Sequence, residues 1–200
     1  APQPAQGPSF RVGIQVGHWK NAELPDELTL LKGSMGAAGS GWTELAVNQD
    51  IAKRVADILA AQNIQVGLLP ATVPVAYRAD AFVAIHADAN SNTKVSGFKA
   101  ARARWSTIPQ EDDALVNALR NQYGTATGLP EHAATITANM TAYYAFNNRL
   151  FKHAVHPETP SAIFETVFMT TPSDRQFIQE KPDKVAAGIA TGILKFLGTD

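Results

Sequence analysis

Between residues 10 and 197, short apolar runs alternate with segments in which apolar residues recur at helical spacing. The short runs are typical of strands, and a 3.6-residue period is typical of helices. This alternation predicts an α/β fold. We expect one domain, residues 10–200, with a mixed, mostly parallel twisted sheet of about six strands flanked by helices. The predicted strands cover residues 10–16, 65–69, 81–87, 97–105, 149–155 and 162–168.

Three helices are predicted between and after these strands. The first begins at Thr43, a favoured N-cap residue, and carries the acidic Glu44 in its first turn. The other two cover residues 111–123 and 183–197. Residues 19–43 read as a long glycine-rich loop with a short helical turn at 26–32, and loops of this length are usually functional or mobile.

Composition excludes several classes of function. The chain has 200 residues, 45% of them hydrophobic, which suits one domain with a sizeable core. The formal net charge is -1, so nothing favours nucleic acid, and no apolar run is long enough for membrane insertion. The chain has no cysteine, so any metal must be held by His, Asp or Glu. Residues 1–9 are rich in proline and small residues and read as a linker-like segment, or as a start left by processing.

Four polar residues stand at the ends of predicted elements or inside an apolar strand. His18 follows the first strand, Glu44 opens a helix, His86 ends the strand FVAIH, and Glu165 interrupts AIFETVF. In a parallel sheet the strand ends and the following helix starts lie at one edge, where ligands bind. Two imidazoles and one carboxylate are a common ligand set for catalytic zinc.

Each of the four also has a purely structural explanation. A histidine at a strand end is often a hydrogen-bonded structural residue, and an acidic residue in the first helical turn is favoured by the helix dipole. Glu165 needs a partner or a metal if it faces the core, but it can face solvent on an alternating strand. The residues alone therefore leave the metal site as one of two interpretations.

The segments VGIQVGH, GWTELAVNQDIAKRVADIL, YRADAFVAIHADAN and PSAIFETVF resemble the zinc-dependent N-acetylmuramoyl-L-alanine amidases of the amidase-3 family. The resemblance covers about residues 10–198. It implies that His18, Glu44 and His86 bind one Zn²⁺ ion and that Glu165 is the catalytic carboxylate. This chain departs from the family's usual Asp-x-Gly-His-Gly-Gly, since it has Gln15 and continues after His18 with Trp-Lys. Such changes affect substrate contacts and leave the metal ligands in place.

The resemblance implies hydrolysis of the amide between N-acetylmuramic acid and the L-alanine of the stem peptide. Zinc acts as a Lewis acid in such sites and lowers the pKa of a bound water to roughly 7. A carboxylate such as Glu165 takes the proton of the water and passes it to the leaving amine. The expected partner is peptidoglycan or soluble muropeptides. We expect a monomer that acts in the periplasm, outside the cell, or in a phage lysis system.

Two further residues are candidates for substrate binding. Arg78 suits a substrate carboxylate, although it can equally pair with an acid at the surface. Asn90 follows His86 closely and can contact substrate or orient an imidazole, although it is as easily explained as a turn residue. The aromatic residues Tyr143, Tyr144 and Trp105 can stack on sugar or peptide, or simply pack.

Two other functions remain open from the sequence. One is a zinc carboxypeptidase that acts on stem peptides, which would release D-alanine instead of freeing the amino terminus of L-alanine. The other is a wall-binding homologue that has lost catalysis, which the altered residues after His18 favour. A glycosidase built on Glu44 and Glu165 is disfavoured, because it leaves both histidines unexplained.

Overall fold

The computed structural model describes residues 10–199, and a five-stranded sheet lies at its centre. The strands stand in the order β4-β1-β5-β7-β6. Four are parallel, and only the edge strand β6 runs antiparallel to its neighbour β7. A separate antiparallel pair, β2 and β3, precedes the first helix. The strands are β1 Arg11–Val16, β2 Ala38–Gly39, β3 Trp42–Thr43, β4 Gln65–Leu69, β5 Ala81–Asp88, β6 Lys99–Ala101 and β7 Ser161–Phe168.

Three long helices cover one face of the sheet. Their apolar stripes form one buried cluster with alternate residues of β1, β5 and β7, and Val47, Ile51 and Val55 show the helical spacing of this stripe. The α-helices are α1 Glu44–Ala61, α2 Pro109–Thr127, α3 Ala138–Thr141, α4 Pro172–Glu180 and α5 Pro182–Leu197. Short 3₁₀ helices occur at Asn21–Glu23, Asp26–Leu31, Ala133–Thr135 and Tyr144–Phe146.

The other face of the sheet is covered mainly by irregular segments. A second buried cluster joins alternate strand residues to side chains of the connecting segments, such as Tyr77, Met140 and Phe146. Successive side chains of a strand point to opposite faces. Because Ile14, Ile85 and Phe164 belong to the helix-covered cluster, their neighbours in sequence lie on this second face. Those neighbours are Gln15, His86 and Glu165, together with Lys99, which pairs with Glu165 across β6 and β7.

The predicted fold class is confirmed, with five strands in the main sheet and two in the small one. Thr43 is the N-cap of α1, and its Oγ1 accepts a hydrogen bond from the Ala46 amide at 3.3 Å. The strand predicted at 65–69 has those bounds. Within the described part of the chain, no helix is long and apolar enough to cross a membrane. The predicted linker-like segment 1–9 lies outside the described residues.

Two predicted strands were wrong in extent or kind, and one helix was not predicted. The strand predicted at 149–155 is not one, because only Val155 forms a bridge, with Tyr77. The strand predicted at 97–105 is reduced to Lys99–Ala101, because the chain then leaves β7 and the Arg104 amide bonds the Thr141 carbonyl instead. Helix α4 was not predicted as a separate element, and Pro182 starts α5 directly after it.

Candidate metal centre and active site

Two histidines and one glutamate converge where β1 and β5 end and α1 begins. Glu44 Oε1 lies 3.2 Å from His18 Nε2 and 2.9 Å from His86 Nδ1. One potential ligand atom from each of the three residues lies within 4.8 Å of the other two. The structure therefore brings together the three side chains that the sequence suggested as metal ligands.

Glu44 is fixed by donors on both carboxylate oxygens. Its Oε2 accepts from the Ala37 amide at 2.7 Å, and its Oε1 accepts from the Ala87 amide and from Asn48 Nδ2, each at 3.2 Å. Burial alone would raise the pKa of Glu44, but its hydrogen bonds with His18 and His86 outweigh burial and hold the pKa below its usual value. Glu44 therefore stays an anion in its buried position.

His18 is oriented from its outer side. Its Nδ1 lies 3.2 Å from the carbonyl oxygen of Ser34, which can only accept, so the Nδ1 carries the proton and Nε2 faces Glu44. Burial alone would lower the pKa of His18. The hydrogen bond and the charge of Glu44 together raise it by more than burial lowers it, so the pKa of His18 is raised. The charge of Glu44 therefore favours a positive charge at this position.

Two glycines make room for this cluster. A Cβ atom on Gly17 would lie 2.5 Å from Cε1 of His86. A Cβ on Gly36, which has a φ of +73°, would lie 2.5 Å from Oε2 of Glu44 and 2.8 Å from Cδ2 of His18. Together with the donor set of two imidazoles and one carboxylate, this close-fitting cradle fits a zinc ion with three protein ligands.

Glu165 lies beside the cluster on the neighbouring strand, in register with His86. It is 9% exposed, and its Oε2 has no hydrogen-bond partner among residues 10–199. Burial, and then the charges of Glu44 and Asp88, raise the pKa of Glu165 well above its usual value, while Lys99 opposes the shift. A buried carboxylate with a free oxygen and a raised pKa is suited to proton transfer near neutral pH.

Lys99 pairs with Glu165 across β6 and β7, on the same face of the sheet, and is 1% exposed. Its Nζ donates to the Thr135 carbonyl at 2.8 Å and forms an ion pair with Asp88. The ion pair compensates the cost of burying the ammonium group. Lys99 therefore places a positive charge beside Glu165 on the second face of the sheet.

A cavity of about 720 Å³ opens over this face of the sheet, whose polar side chains form its floor. His18, His86, Glu165 and Lys99 are among the residues that line it. Its walls are largely apolar and aromatic, and they come from the segments around residues 28–31 and 137–151. A cavity with a polar floor and apolar walls can hold a peptide and orient one of its polar bonds.

The two residues suggested for substrate contact do not line this cavity. Arg78 lies at the surface and pairs with Glu158 at 3.3 Å, which matches the alternative of a surface ion pair. Asn90 makes a turn, because its Oδ1 accepts from the Asn92 amide at 2.9 Å. This geometry gives the prediction of substrate contact no support.

Sequence reasoning missed several residues that shape the site. Gln15 was noted only as a departure from a family pattern, Tyr143 only as an aromatic, and Lys99 and Gly36 not at all. A polar residue inside the buried strand FRVGIQV was the available signal for Gln15. Burial raises the pKa of Tyr143 well above its usual value, so its phenol keeps the proton that it donates within the site.

Comparisons with known proteins agree with this architecture. AmiC2 of Nostoc punctiforme, an N-acetylmuramoyl-L-alanine amidase, is 23% identical and superposes with a TM-score of 0.66 over 96% of this chain and 99% of its own. An N-acetylmuramoyl-L-alanine amidase from Clostridium difficile is 20% identical, with a TM-score of 0.67 over 97% and 100%. Ami1 from Mycobacterium smegmatis is 18% identical, with a TM-score of 0.68 over 98% and 100%. These likenesses show a shared fold.

A comparison with curated proteins found no match. The model of a family described as N-acetylmuramoyl-L-alanine amidase, in contrast, matches residues 12–195 of this sequence. That range includes all the helices and all the strands, except for the first residue of β1 and the last two residues of α5. The chain therefore belongs to the N-acetylmuramoyl-L-alanine amidase family.

Proposed function

We propose that this protein hydrolyses the amide bond between N-acetylmuramic acid and the L-alanine of the stem peptide, with one zinc ion held by His18, Glu44 and His86. The observation that carries the proposal is the convergence of these three side chains beside Glu165, whose Oε2 has no hydrogen-bond partner among residues 10–199, at a cavity lined by His18, His86 and Glu165. Family membership supplies the reaction class, which is hydrolysis of peptidoglycan.

The donor set and its surroundings support zinc. When bound, the ion supplies a Lewis acid for the amide carbonyl and makes a water molecule acidic enough to react at neutral pH. His18 and His86 offer imidazole nitrogens, and Glu44 offers a carboxylate that is already held ionised. The hydrogen bonds of Glu44 to the Ala37 and Ala87 amides hold it in place before any ligand arrives, which lowers the cost of forming the site.

Glu165 moves the protons of the reaction. We assign its Oε2 to accept a proton as a water molecule adds to the carbonyl carbon of the amide. Glu165 then delivers that proton to the amide nitrogen as the C–N bond breaks, so the products are the lactyl carboxyl group and the amine of L-alanine. Lys99 and Asp88, on the adjacent strands, set the charge around this carboxylate.

The cavity suits a peptide attached to a sugar. Apolar and aromatic side chains such as Leu28, Phe151 and Tyr144 line it, and they can cover the stem peptide while the polar floor meets the scissile amide. The proposed partner is peptidoglycan or soluble muropeptides, and the proposed setting is the periplasm, the extracellular space or a phage lysis system. We expect the protein to act as a monomer, which its elution in size-exclusion chromatography would test.

Mass spectrometry of digested peptidoglycan tests the reaction. The expected products are intact glycan strands and peptides with a free L-alanine amino terminus, and a chelator should abolish them until zinc is restored. Release of D-alanine would instead identify a carboxypeptidase that acts on stem peptides. Absence of any turnover by the zinc-loaded protein would favour a homologue that binds the wall without cleaving it.

Glu165→Gln tests the assigned proton carrier. The amide side chain keeps the shape of the glutamate but cannot take a proton, so we expect muropeptide turnover to fall by about 10²–10⁴-fold. Zinc binding, measured by competition with a chromophoric chelator, should stay within a few-fold of wild type because Glu165 is not a proposed ligand. Full activity in the variant would remove Glu165 from the mechanism.

A further inference from the structure

A directional chain of hydrogen bonds connects His86 to the backbone on the side of the ring opposite Glu44. His86 Nε2 lies 2.9 Å from Tyr143 Oη, and Tyr143 Oη lies 3.0 Å from Gln15 Oε1. Gln15 Nε2 in turn lies 2.8 Å from the carbonyl oxygen of Ala71. Tyr144 Oη donates to the same carbonyl at 2.7 Å.

The Ala71 carbonyl fixes the direction of every donor in this chain. A carbonyl can only accept, so the NH₂ group of Gln15 must face it and the Gln15 oxygen must face Tyr143. That oxygen can also only accept, so the single phenolic proton of Tyr143 is donated to Gln15. Tyr143 Oη therefore presents a lone pair to His86, and His86 Nε2 must carry a proton to make the 2.9 Å hydrogen bond.

The position of this proton decides which ring nitrogen is left for a metal. With Nε2 keeping its proton for Tyr143, Nδ1, the atom that faces Glu44 at 2.9 Å, is the ring nitrogen that can give up its proton and offer a lone pair to a metal. We propose that Tyr143 and Gln15 are positioning residues that hold His86 in the tautomer and ring orientation required for metal binding through Nδ1. The inference rests on the metal site of the proposed function.

Gln15 is suited to this position by its chemistry. Gln15 is fully buried, and its amide group makes one hydrogen bond as a donor and one as an acceptor. Its NH₂ group donates to the Ala71 carbonyl, and its oxygen accepts from the Tyr143 hydroxyl. A carboxylate could serve only Tyr143, and an apolar side chain could serve neither. Loss of the acceptor would free the Tyr143 proton for donation to His86 Nε2, which would favour the opposite tautomer.

The zinc dissociation constant of Tyr143→Phe tests this inference. Removal of the hydroxyl leaves the buried Nε2–H of His86 without an acceptor, so we expect zinc affinity to fall by about 10–100-fold. Tyr144→Phe is the matched control, because its ring is adjacent and also lines the cavity. Its hydroxyl donates to Ala71 and accepts from Gln15 Nε2 at 3.1 Å, so its removal leaves the Gln15 bond to Ala71 and the contact of Tyr143 with His86 in place. Gln15→Met should also weaken zinc binding although it retains the Tyr143 hydroxyl.

Nitrogen-15 NMR of the imidazoles in the zinc-loaded wild type gives a second readout that needs no variant. We expect the remaining ring proton of His86 on Nε2, exchanging slowly with solvent, and metal coordination at Nδ1. A ring proton on Nδ1, or equal zinc affinities for Tyr143→Phe and wild type, would overturn the inference while leaving the proposed metal site intact. Failure of the wild type to bind zinc would instead overturn the proposed function, on which the inference rests.

Discussion

Gly36 contacts two of the proposed ligands although it offers no side chain of its own. Its φ of +73° lies in the left-handed region, and a Cβ would approach Glu44 Oε2 to 2.5 Å. Gly36→Ala should therefore cost about 1–3 kcal/mol of unfolding free energy from backbone strain, with a further cost from displaced side chains. Because Glu44 and His18 must both move, we also expect zinc affinity to fall by about tenfold or more. Urea unfolding and chelator competition measure the two effects.

Gly33→Ala is the matched control for this change. Gly33 lies in the same segment, its φ is not positive, and a Cβ there would meet no atom within 4 Å. We expect its stability to change by less than about 0.5 kcal/mol and its zinc affinity to stay the same. If both variants bind zinc like the wild type, Gly36 does not shape the metal site.

The polar residues at element ends could be predicted from the sequence, because strand ends and helix starts are local features. The sequence thus suggested that His18, Glu44 and His86 would converge, and the structure places them together. The residues that hold the ligands could not be predicted in this way. Tyr143 meets His86 across 57 positions of sequence, and it does so from an irregular segment whose path depends on the packing of the whole domain.

At the scale of elements, one wall of the cavity depends on the 3₁₀ helix Asp26–Leu31 and on a single acidic side chain in it. The two carboxylate oxygens of Glu27 accept from the backbone amides of Lys152 and His153, and Oε1 also pairs with the His153 ring. These backbone hydrogen bonds lower the pKa of Glu27 to about 2. The carboxylate thus fastens the helix to the segment that follows Phe151, which also lines the cavity.

Glu27→Gln should weaken this attachment in a pH-dependent way. Since the folded-state pKa is depressed, the contribution of Glu27 to stability is fully present above the unfolded value of 4.5 and is lost as pH falls toward about 2. We expect the variant to be less stable than wild type by about 1 kcal/mol at pH 7, because the group is partly exposed. The difference in urea unfolding should shrink as pH falls from 4.5 to 2.

Glu23→Gln serves as the control, because the Glu23 carboxylate forms an exposed ion pair with Lys20 and accepts no backbone hydrogen bond from residues 10–199. A stability difference for Glu27→Gln that is constant between pH 2 and pH 7 would argue against the carboxylate as the fastening group. Muropeptide turnover by the same variant would show whether the attachment of this wall affects substrate binding, which should appear as a raised KM.

Elements with strong internal periodicity were predicted best. Helix α1 follows from a local period of 3.6 residues, and the strand at 65–69 was read from a short run after a turn. Where hydrogen bonding to another strand decides whether a segment is a strand, the local sequence pattern was insufficient to predict it. The small strands β2 and β3 lie within a segment that reads as loop, and the run at 149–155 finds only one bridge because its neighbours turn toward Ala145 and Glu27 instead.

At the scale of the whole molecule, the proposed site joins three segments that are distant in sequence, so a bound ion should stabilise the entire fold. His18 follows β1, Glu44 starts α1, and His86 lies near the end of β5. A ligand at about 1,000 times its Kd stabilises the folded state by about 4 kcal/mol. For a domain of this size, that corresponds to a rise in Tm of about 8–16 °C. Scanning calorimetry with zinc and with a chelator measures this rise, and His86→Ala should largely abolish it.

The size of this rise should depend on pH through His18. In the metal-free protein the pKa of His18 is raised, so its contribution to stability is fully present below the unfolded value of 6.5 and is lost as pH rises through the folded-state pKa. Zinc needs the neutral imidazole, so protons compete with the ion in the lower part of the same range. Both effects make zinc stabilise the protein more as the pH rises. The difference in Tm between zinc-loaded and metal-free protein should therefore grow from pH 5.5 to pH 8. A difference that is constant over this range would show that His18 does not exchange its proton for the metal. In that case Glu44 and His86 would remain the proposed ligands, and the third ligand would have to be another residue.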